Sequence, residues 1–270
     1  MLTDAFHDST ALILTIIFLF GAMVGSFLNV CIARIAKGES VVRPPSHCPK
    51  CNNPISFFDN IPIISFIILL GRCRSCGERI SPRYLLVEVL TGLLAAALYY
   101  QFGLGLAFFT AFIFVAALIV ISIIDLDVRI VPDAISLPGI VAGVLFSLVA
   151  RYLVSDPTEI IPTPLSALLG ILAGGGFLFA VAWIYERVTG IEGMGGGDIK
   201  LLAMIGAFLG WPSIPFTIFL ASLAGSVVGL GVMLATGAGR RLALPFAPFL
   251  CFGAMLHLFF GRELVAFYFG

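Results

Sequence analysis

The chain has 270 residues, of which 60% are hydrophobic and 11% are charged, and its formal net charge is zero. Soluble domains carry roughly 25% charged residues, so this composition excludes an ordinary water-soluble globular protein. The balanced charge provides no basic surface for nucleic acid, and we therefore expect membrane lipid, and no nucleic acid, as a partner.

Eight apolar stretches follow one another along the chain, each close to the length of a helix that crosses a bilayer. They cover 11–33, 84–102, 105–124, 134–154, 165–186, 198–211, 214–237 and 243–261. The residues before the first stretch include two aspartates and no Lys or Arg, the opposite of the basic start of a secretory signal. The sequence therefore predicts an all-α polytopic membrane protein with about eight transmembrane helices.

The distribution of positive charge predicts the orientation. Of the 15 Lys and Arg residues, eight lie between Arg34 and Arg83, and loops rich in these residues stay in the cytoplasm. Arg240 and Arg241 also fall in a loop predicted to be inside, whereas two other arginines lie near outer ends, against the rule. The expected division is a first transmembrane helix in 1–36, a cytoplasmic four-cysteine module in 37–83 and a membrane-embedded helix bundle in 84–270.

The cysteine module, residues 37–83, contains two C-x2-C pairs separated by residues 52–72. Its four cysteines are Cys48, Cys51, Cys73 and Cys76. Two such pairs predict a tetrahedral site for a structural Zn²⁺, because a four-thiolate shell leaves no open position for water. Two disulfides are the alternative, which a cytoplasmic location disfavours. The apolar loop between the pairs is expected either to lie on the membrane surface or to pack against the helix bundle.

Two aspartates are predicted at the cytoplasmic ends of membrane helices, Asp125 after the third helix and Asp198 at the start of the sixth. Ionisable groups at the edge of the hydrocarbon are costly and usually functional. If the two carboxylates face each other, they share one proton and can hold a water between them, which is the arrangement of aspartyl proteolysis. The alternative for Asp198 is a helix N-cap.

Three glycines precede Asp198, and two interpretations fit them. Gly195 and Gly197 would let an extended substrate approach the carboxylate, and glycine also allows backbone dihedrals that are closed to other residues. The alternative is a flexible lead into a capped helix. Cys31 and Cys251, in apolar stretches, are expected to be packing residues.

Several motifs together resemble a known family. They are GGGD at 195–198, IDLDVRIVPD at 124–133, GSFLNVCIARI at 25–35, RPPSHCPKCNNPI at 43–55, PRYLLVEVLTG at 82–92 and LPFAPFLCFGA at 244–254. Their combination resembles the type IV prepilin peptidases, which are GxGD intramembrane aspartyl proteases.

The resemblance implies that Asp125 and Asp198 are catalytic and that the protein lies in the bacterial inner membrane with its active site at the cytoplasmic face. It implies removal of the basic leader from prepilins or pseudopilins of type IV pili or protein secretion. It also implies N-methylation of the new N-terminal residue with S-adenosylmethionine as methyl donor. The residues that bind this cofactor are not predicted, since the sequence has no glycine-rich loop of the Rossmann kind. The cysteine loop and Glu88 are candidates by resemblance, and for Glu88 an acid that serves the dipole of its helix is the alternative.

The remaining charged residues near the two aspartates are given no catalytic role. Asp127 would point away from Asp125 on a helix, and Asp133, after Pro132, is expected in the first turn of the next helix. Lys200 would offset negative charge or meet lipid phosphate. Two other functions are alternatives, a cation transporter or channel with a cytoplasmic zinc module and a membrane scaffold. The transporter is disfavoured because no acid is predicted at mid-membrane.

Overall fold

The computed structural model describes residues 2–43, 45–48, 50–154, 160–190, 195–236 and 244–269. Within these ranges the chain is helical and has no β-strand, only two isolated β-bridges in the cysteine module. The helices are α1 Leu2–Ile35, α2 Ile64–Ile68, α3 Pro82–Phe102, α4 Leu106–Val128, α5 Asp133–Tyr152, α6 Pro164–Thr189, α7 Gly196–Leu209, α8 Ser213–Thr236 and α9 Ala247–Phe269. A short 3-10 turn covers Phe57–Asn60.

Six of these helices are long and apolar enough to cross a membrane, namely α1 from Thr10 onward, α3, α4, α5, α6 and α8. Helix α7 has 14 residues, and α9 contributes the shorter apolar stretch Ala247–Gly261. Each predicted stretch falls on one of α1 and α3 to α9, so the prediction of an all-α polytopic membrane protein is confirmed. The predicted inside loop with Arg240 and Arg241 lies outside the described residues.

Local sequence signals set several helix ends. The Ser81 hydroxyl accepts a hydrogen bond from the Arg83 N–H at the start of α3, and Thr163 caps α6 in the same way. Proline follows each of these caps, where its missing N–H costs nothing. Helix α6 ends at Gly190, which has the left-handed φ of 68° that glycine adopts without strain.

The chain divides into two compact units, Met1–Phe112 and Ile113–Gly270. In the first unit α1 and α3 lie side by side and the cysteine module connects them. Small residues allow the close approach, since a Cβ at Gly21 would lie 2.6 Å from that of Ala95. The three-part division into 1–36, 37–83 and 84–270 stays a prediction.

Helix α7 lies in the middle of the second unit and packs against α5, α6, α8 and α9. Its residues from Leu201 to Phe208 are all buried. The backbones of Gly170 on α6 and Gly206 on α7 approach so closely that a Cβ on either would collide with the other chain segment. Phe114 of α4 stacks on Phe208 with ring centroids 4.7 Å apart. These contacts hold α7 in place and so position Asp198 in its first turn.

Candidate active site

Asp125 lies in the last turn of α4, and only 5% of its surface is exposed. The backbone N–H of Ala247, in the first turn of α9, donates a hydrogen bond of 3.2 Å to Asp125 Oδ2. The first N–H groups of a helix have no partner within the helix, so this carboxylate satisfies a donor that would otherwise be unpaired. The contact fixes the orientation of the Asp125 side chain relative to α9.

Asp198 lies in the first turn of α7 and is half-buried. The interpretation of Asp198 as the N-cap is wrong, because Gly195 occupies that position and the Asp198 N–H already bonds to the Gly195 carbonyl. As an acid of the first turn, Asp198 still interacts favourably with the helix dipole. Its carboxylate is therefore free of a capping role and available for another one.

The two carboxylates come close enough to interact electrostatically, although they are far apart in the sequence. The thiol of Cys251, fully buried on α9, feels both charges and hydrogen-bonds to Ser122, which lies one turn before Asp125 on α4. Helices α4, α7 and α9 thus converge on one buried site. Cys251 is a packing residue as predicted, and it lines this site.

The glycines before Asp198 differ in their surroundings. A Cβ at Gly197 would lie 2.8 Å from Val131 Cβ, whereas at Gly195 or Gly196 such an atom would have no described residue within 4 Å. None of these three glycines uses a backbone conformation that only glycine allows, because Gly195 has a φ of −68° and neither of its two successors has a positive φ. Gly197 is needed for close packing of α7 against the connection between α4 and α5.

The other charged residues near the aspartates lie toward the surface. Asp127 is exposed while Asp125 is buried, as predicted for a helix. Asp133 is in the first turn of α5, and the Lys200 Nζ donates to its Oδ1 over 2.6 Å. Lys200 therefore connects α7 to α5 through an exposed ion pair.

The two C-x2-C pairs of the cysteine module adopt the same backbone geometry. Cys48 N–H donates to the Asn53 carbonyl and Asn52 N–H to the Cys48 carbonyl, and the second pair repeats this from Cys73 to Glu78 and from Gly77 to Cys73. Asn52 and Gly77, at equivalent positions, both have a positive φ, which Asn and Gly tolerate best. Each pair thus presents its two sulfurs from a tight turn.

The four cysteine sulfurs fit a zinc ion. They all lie within 4.8 Å of one another, and Cys48 Sγ and Cys76 Sγ are 3.9 Å apart. A tetrahedral shell with Zn–S bonds of about 2.3 Å has sulfur–sulfur edges of about 3.8 Å. The N–H groups of Cys51 and Lys50 lower the pKa of Cys48 to about 6, which favours the thiolate that binds metal. The sulfurs are not paired as disulfides.

Glu88 is buried in α3, well past its first turn, so the interpretation of this acid as a partner of the helix dipole is wrong. Its Oε2 accepts a 2.8 Å hydrogen bond from the Ile63 backbone N–H, and Ser26 of α1 also hydrogen-bonds to the carboxylate. Glu88 therefore ties α1, α3 and the apolar loop of the cysteine module together.

Two family models match this chain. Residues 19–102 match the one described as Bacterial Peptidase A24 N-terminal domain, and residues 112–230 match the Type IV leader peptidase family. A prepilin leader peptidase/N-methyltransferase of Aeromonas hydrophila is 35% identical, with 99% of this chain and 98% of the relative covered. The chain belongs to the prepilin leader peptidase/N-methyltransferase family.

Further relatives with the same name support this assignment. One from Burkholderia pseudomallei (strain 1026b) is 36% identical over 93% of this chain and 87% of its own length. Another from Klebsiella pneumoniae is 40% identical over 77% of this chain and 90% of its own length. No solved structure gives a significant match. Membership in this family makes the chain an enzyme of a peptidase family rather than a transporter, a channel or a scaffold.

The family match also separates the two groups of site residues. Asp125 and Asp198 lie in the segment that matches the leader peptidase family, and the four cysteines and Glu88 lie in the N-terminal segment. Sequence reasoning missed the roles of Ala247 and Ser122 beside Asp125. Ala247 lies in LPFAPFLCFGA, one of the motifs that carry the family resemblance. The sequence does not indicate that this motif lies next to the aspartates, because tertiary packing brings them together.

Proposed function

We propose that the protein is an intramembrane aspartyl endopeptidase that cleaves the basic leader from type IV prepilins or pseudopilins at the cytoplasmic face of the bacterial inner membrane. It then N-methylates the new N-terminal residue with S-adenosylmethionine as the methyl donor. One observation carries the peptidase assignment, the meeting of Asp125 and Asp198 at the junction of α4, α7 and α9. The names of the relatives support the choice of substrate and the second activity.

The pair of carboxylates suits peptide hydrolysis without a metal or a nucleophilic side chain. Two carboxylates at close range cannot both ionise cheaply, so they share one proton and titrate as a unit. The ionised partner takes a proton from a water as its oxygen attacks the peptide carbonyl carbon, and the protonated partner gives its proton to the carbonyl oxygen. Collapse of the tetrahedral intermediate breaks the C–N bond, as the carboxyl that took the water's proton gives it to the amine nitrogen. The other carboxylate takes back a proton from the hydroxyl of the intermediate, which restores the pair.

The surroundings support this assignment of Asp125. Its hydrogen bond from the Ala247 N–H holds one carboxylate oxygen, so the other oxygen stays available to a water or to Asp198. Burial limits the access of bulk water, which strengthens electrostatic interactions within the site. Among the described residues, no atom lies within 4 Å of a Cβ placed on Gly195, which leaves room for an extended peptide beside Asp198.

The zinc ion is proposed to be structural. Cys48, Cys51, Cys73 and Cys76 would hold it, and a closed four-thiolate shell offers no position for a reacting water. The ion would join the two turns of a small module that has little hydrophobic core of its own.

No residue is proposed to bind the methyl donor. The described ranges contain no β-strand, so they lack the strand, glycine loop and helix that bind adenosine cofactors in Rossmann folds. The methyl-transfer activity therefore rests on the relatives alone.

The peptidase proposal is tested with the purified protein in detergent, a prepilin substrate, and mass spectrometry of the products. Asp125→Asn and Asp198→Asn should each abolish leader cleavage while the protein still inserts and keeps its zinc, because neither acid of a shared-proton pair works alone. Asp127→Asn is the matched control, since its side chain is exposed on the same turn, and it should keep most activity. Full activity of Asp125→Asn with loss in Asp127→Asn would contradict the assignment. Methylation is read separately, as the mass of one methyl group on the cleaved product.

A further inference from the structure

The loop between the cysteine pairs has an apolar surface that faces outward. Helix α2 and the residue two positions after it expose Ile64, Ile67, Ile68 and Leu70, with 49%, 61%, 70% and 83% of their surfaces accessible. The three isoleucines are spaced i, i+3 and i+4, so they lie on one face of the helix. Helices in water show the opposite pattern, with the apolar face turned inward.

The polar groups of this loop point the other way. The hydroxyl of Ser65 donates to the Ile61 carbonyl over 2.6 Å, and the Ile63 N–H donates to the buried Glu88. Asp59 is held by Arg74 of the second cysteine pair through two short hydrogen bonds, of 2.9 and 2.7 Å. The loop is therefore anchored at both ends by polar contacts, and its orientation is fixed.

The contact with Glu88 sets the depth of α2 in the membrane. Glu88 lies six residues after Pro82, or about 9 Å along α3 at 1.5 Å per residue. On α1, Gly25 packs against Glu88. Both helices are apolar enough to cross a membrane here, and Leu86 of α3, two residues before Glu88, exposes 60% of its surface. The hydrogen bond to Glu88 therefore holds Ile63, at the start of α2, beside the membrane-spanning parts of both helices.

We propose that Ile63–Leu70 is an interfacial membrane element, in which the isoleucines of α2 and Leu70 contact lipid acyl chains on the side of the cysteine module. Its outward-facing surface has the composition and the depth of a helix that lies in the membrane interface. Arg72, exposed just after the element, marks its return to the headgroup layer. A soluble partner would have to enter the membrane layer around α1 and α3 to cover this face, whereas acyl chains already surround those helices. This inference does not depend on the proposed peptidase activity.

The test uses tryptophan fluorescence of the full chain in nanodiscs. The two natural tryptophans, Trp183 and Trp211, are first replaced by phenylalanine. Ile68→Trp then places a reporter on the apolar face, and Glu78→Trp places a matched reporter on the exposed second cysteine pair. Emission is compared between ordinary lipid and lipid brominated on its acyl chains, which quenches tryptophan only at short range. Both proteins must retain zinc.

We expect about twofold quenching at Ile68→Trp and little at Glu78→Trp, since interfacial helices bury their apolar face about 5–10 Å into the bilayer. Ile64→Trp, on the same face, is the second variant if Ile68→Trp does not fold, and it should be quenched as strongly. Equal quenching of the two reporters would overturn the proposal. Blue-shifted but unquenched emission at Ile68→Trp would also overturn it, because protein and not lipid would then cover the face.

Discussion

Gly197→Val should impair cleavage much more than it impairs folding. Even the Cβ of the new side chain would lie 2.8 Å from Val131 Cβ and 3.2 Å from its Cγ2. Carbon atoms in contact prefer about 3.5–4.0 Å, so α7 and the residues before Pro132 must move apart by about 1 Å. Val131 Cβ is bonded directly to the backbone and cannot swing away, so the backbone itself must move.

The expected effect follows from the position of this contact. Asp198 comes directly after Gly197, and Asp125 lies six residues before Val131 along the chain. A displacement of about 1 Å between catalytic groups can cost about 100-fold in rate, and overpacking of a buried contact costs about 1–3 kcal/mol of stability. We therefore expect cleavage about 100-fold slower, with the protein still folded and inserted in the membrane.

The assay measures the rate of leader cleavage in membranes at matched expression. Gly196→Val is the control, because a Cβ there would meet no atom of the described residues within 4 Å, and it should cost little. Packing and direct obstruction of substrate are separated by a double variant. Gly197→Ala should slow cleavage less than Gly197→Val does. If packing is the cause, adding Val131→Gly to Gly197→Ala should restore the cleavage rate. Cleavage at the normal rate by Gly197→Val would refute the packing argument, and failure of Val131→Gly to relieve the loss would favour obstruction of the substrate instead.

Three further predictions concern the hydrogen bond of Ala247, the zinc site and the ion pair of Lys200. Ala247→Pro removes the N–H that donates to the Asp125 carboxylate, and proline is tolerated at this helix start. Cleavage should therefore fall about 10-fold. Ala247→Ser keeps the N–H and should cleave normally. Equal rates for the two variants would show that the hydrogen bond is not needed. Metal analysis should find one zinc per chain, and Cys48→Ser combined with Cys76→Ser should remove it; a metal-free, fully active protein with two disulfides would exclude the site. Lys200→Met breaks an exposed ion pair with Asp133 and should change the free energy of unfolding by less than about 1 kcal/mol. A loss of cleavage as severe as that of Asp125→Asn would instead give Lys200 a role in the active site.

The parts that the sequence predicts well depend on short-range patterns. The helices follow from apolar stretches with proline at their starts and glycine near their ends, and the metal site follows from two cysteine pairs whose turns are set locally. Topology and resemblance predict that Asp125 and Asp198 face each other, and in the structure the two carboxylates come close enough to interact electrostatically.

Tertiary packing decides the parts that the sequence did not predict. No spacing in the chain indicates that the Ala247 N–H reaches Asp125 or that the Ile63 N–H reaches Glu88. The N-cap hypothesis for Asp198 is wrong because the helix starts two residues earlier, at Gly196. Glycine is a poor helix former, but the contact with Val131 excludes a side chain on Gly197.

The length of α7 has a consequence for the supply of water to the reaction. Its 14 residues extend about 21 Å, which is about 9 Å less than the hydrocarbon thickness of a typical bilayer. A helix this short cannot reach both surfaces, and the unpaired backbone groups at an end that stops below the surface must be satisfied by protein or water. Four other helices pack against α7, so protein groups are near to meet those backbone groups together with water. Where the short end is the one with Asp198, the water that reaches its backbone also reaches the carboxylates, and hydrolysis inside a membrane becomes feasible.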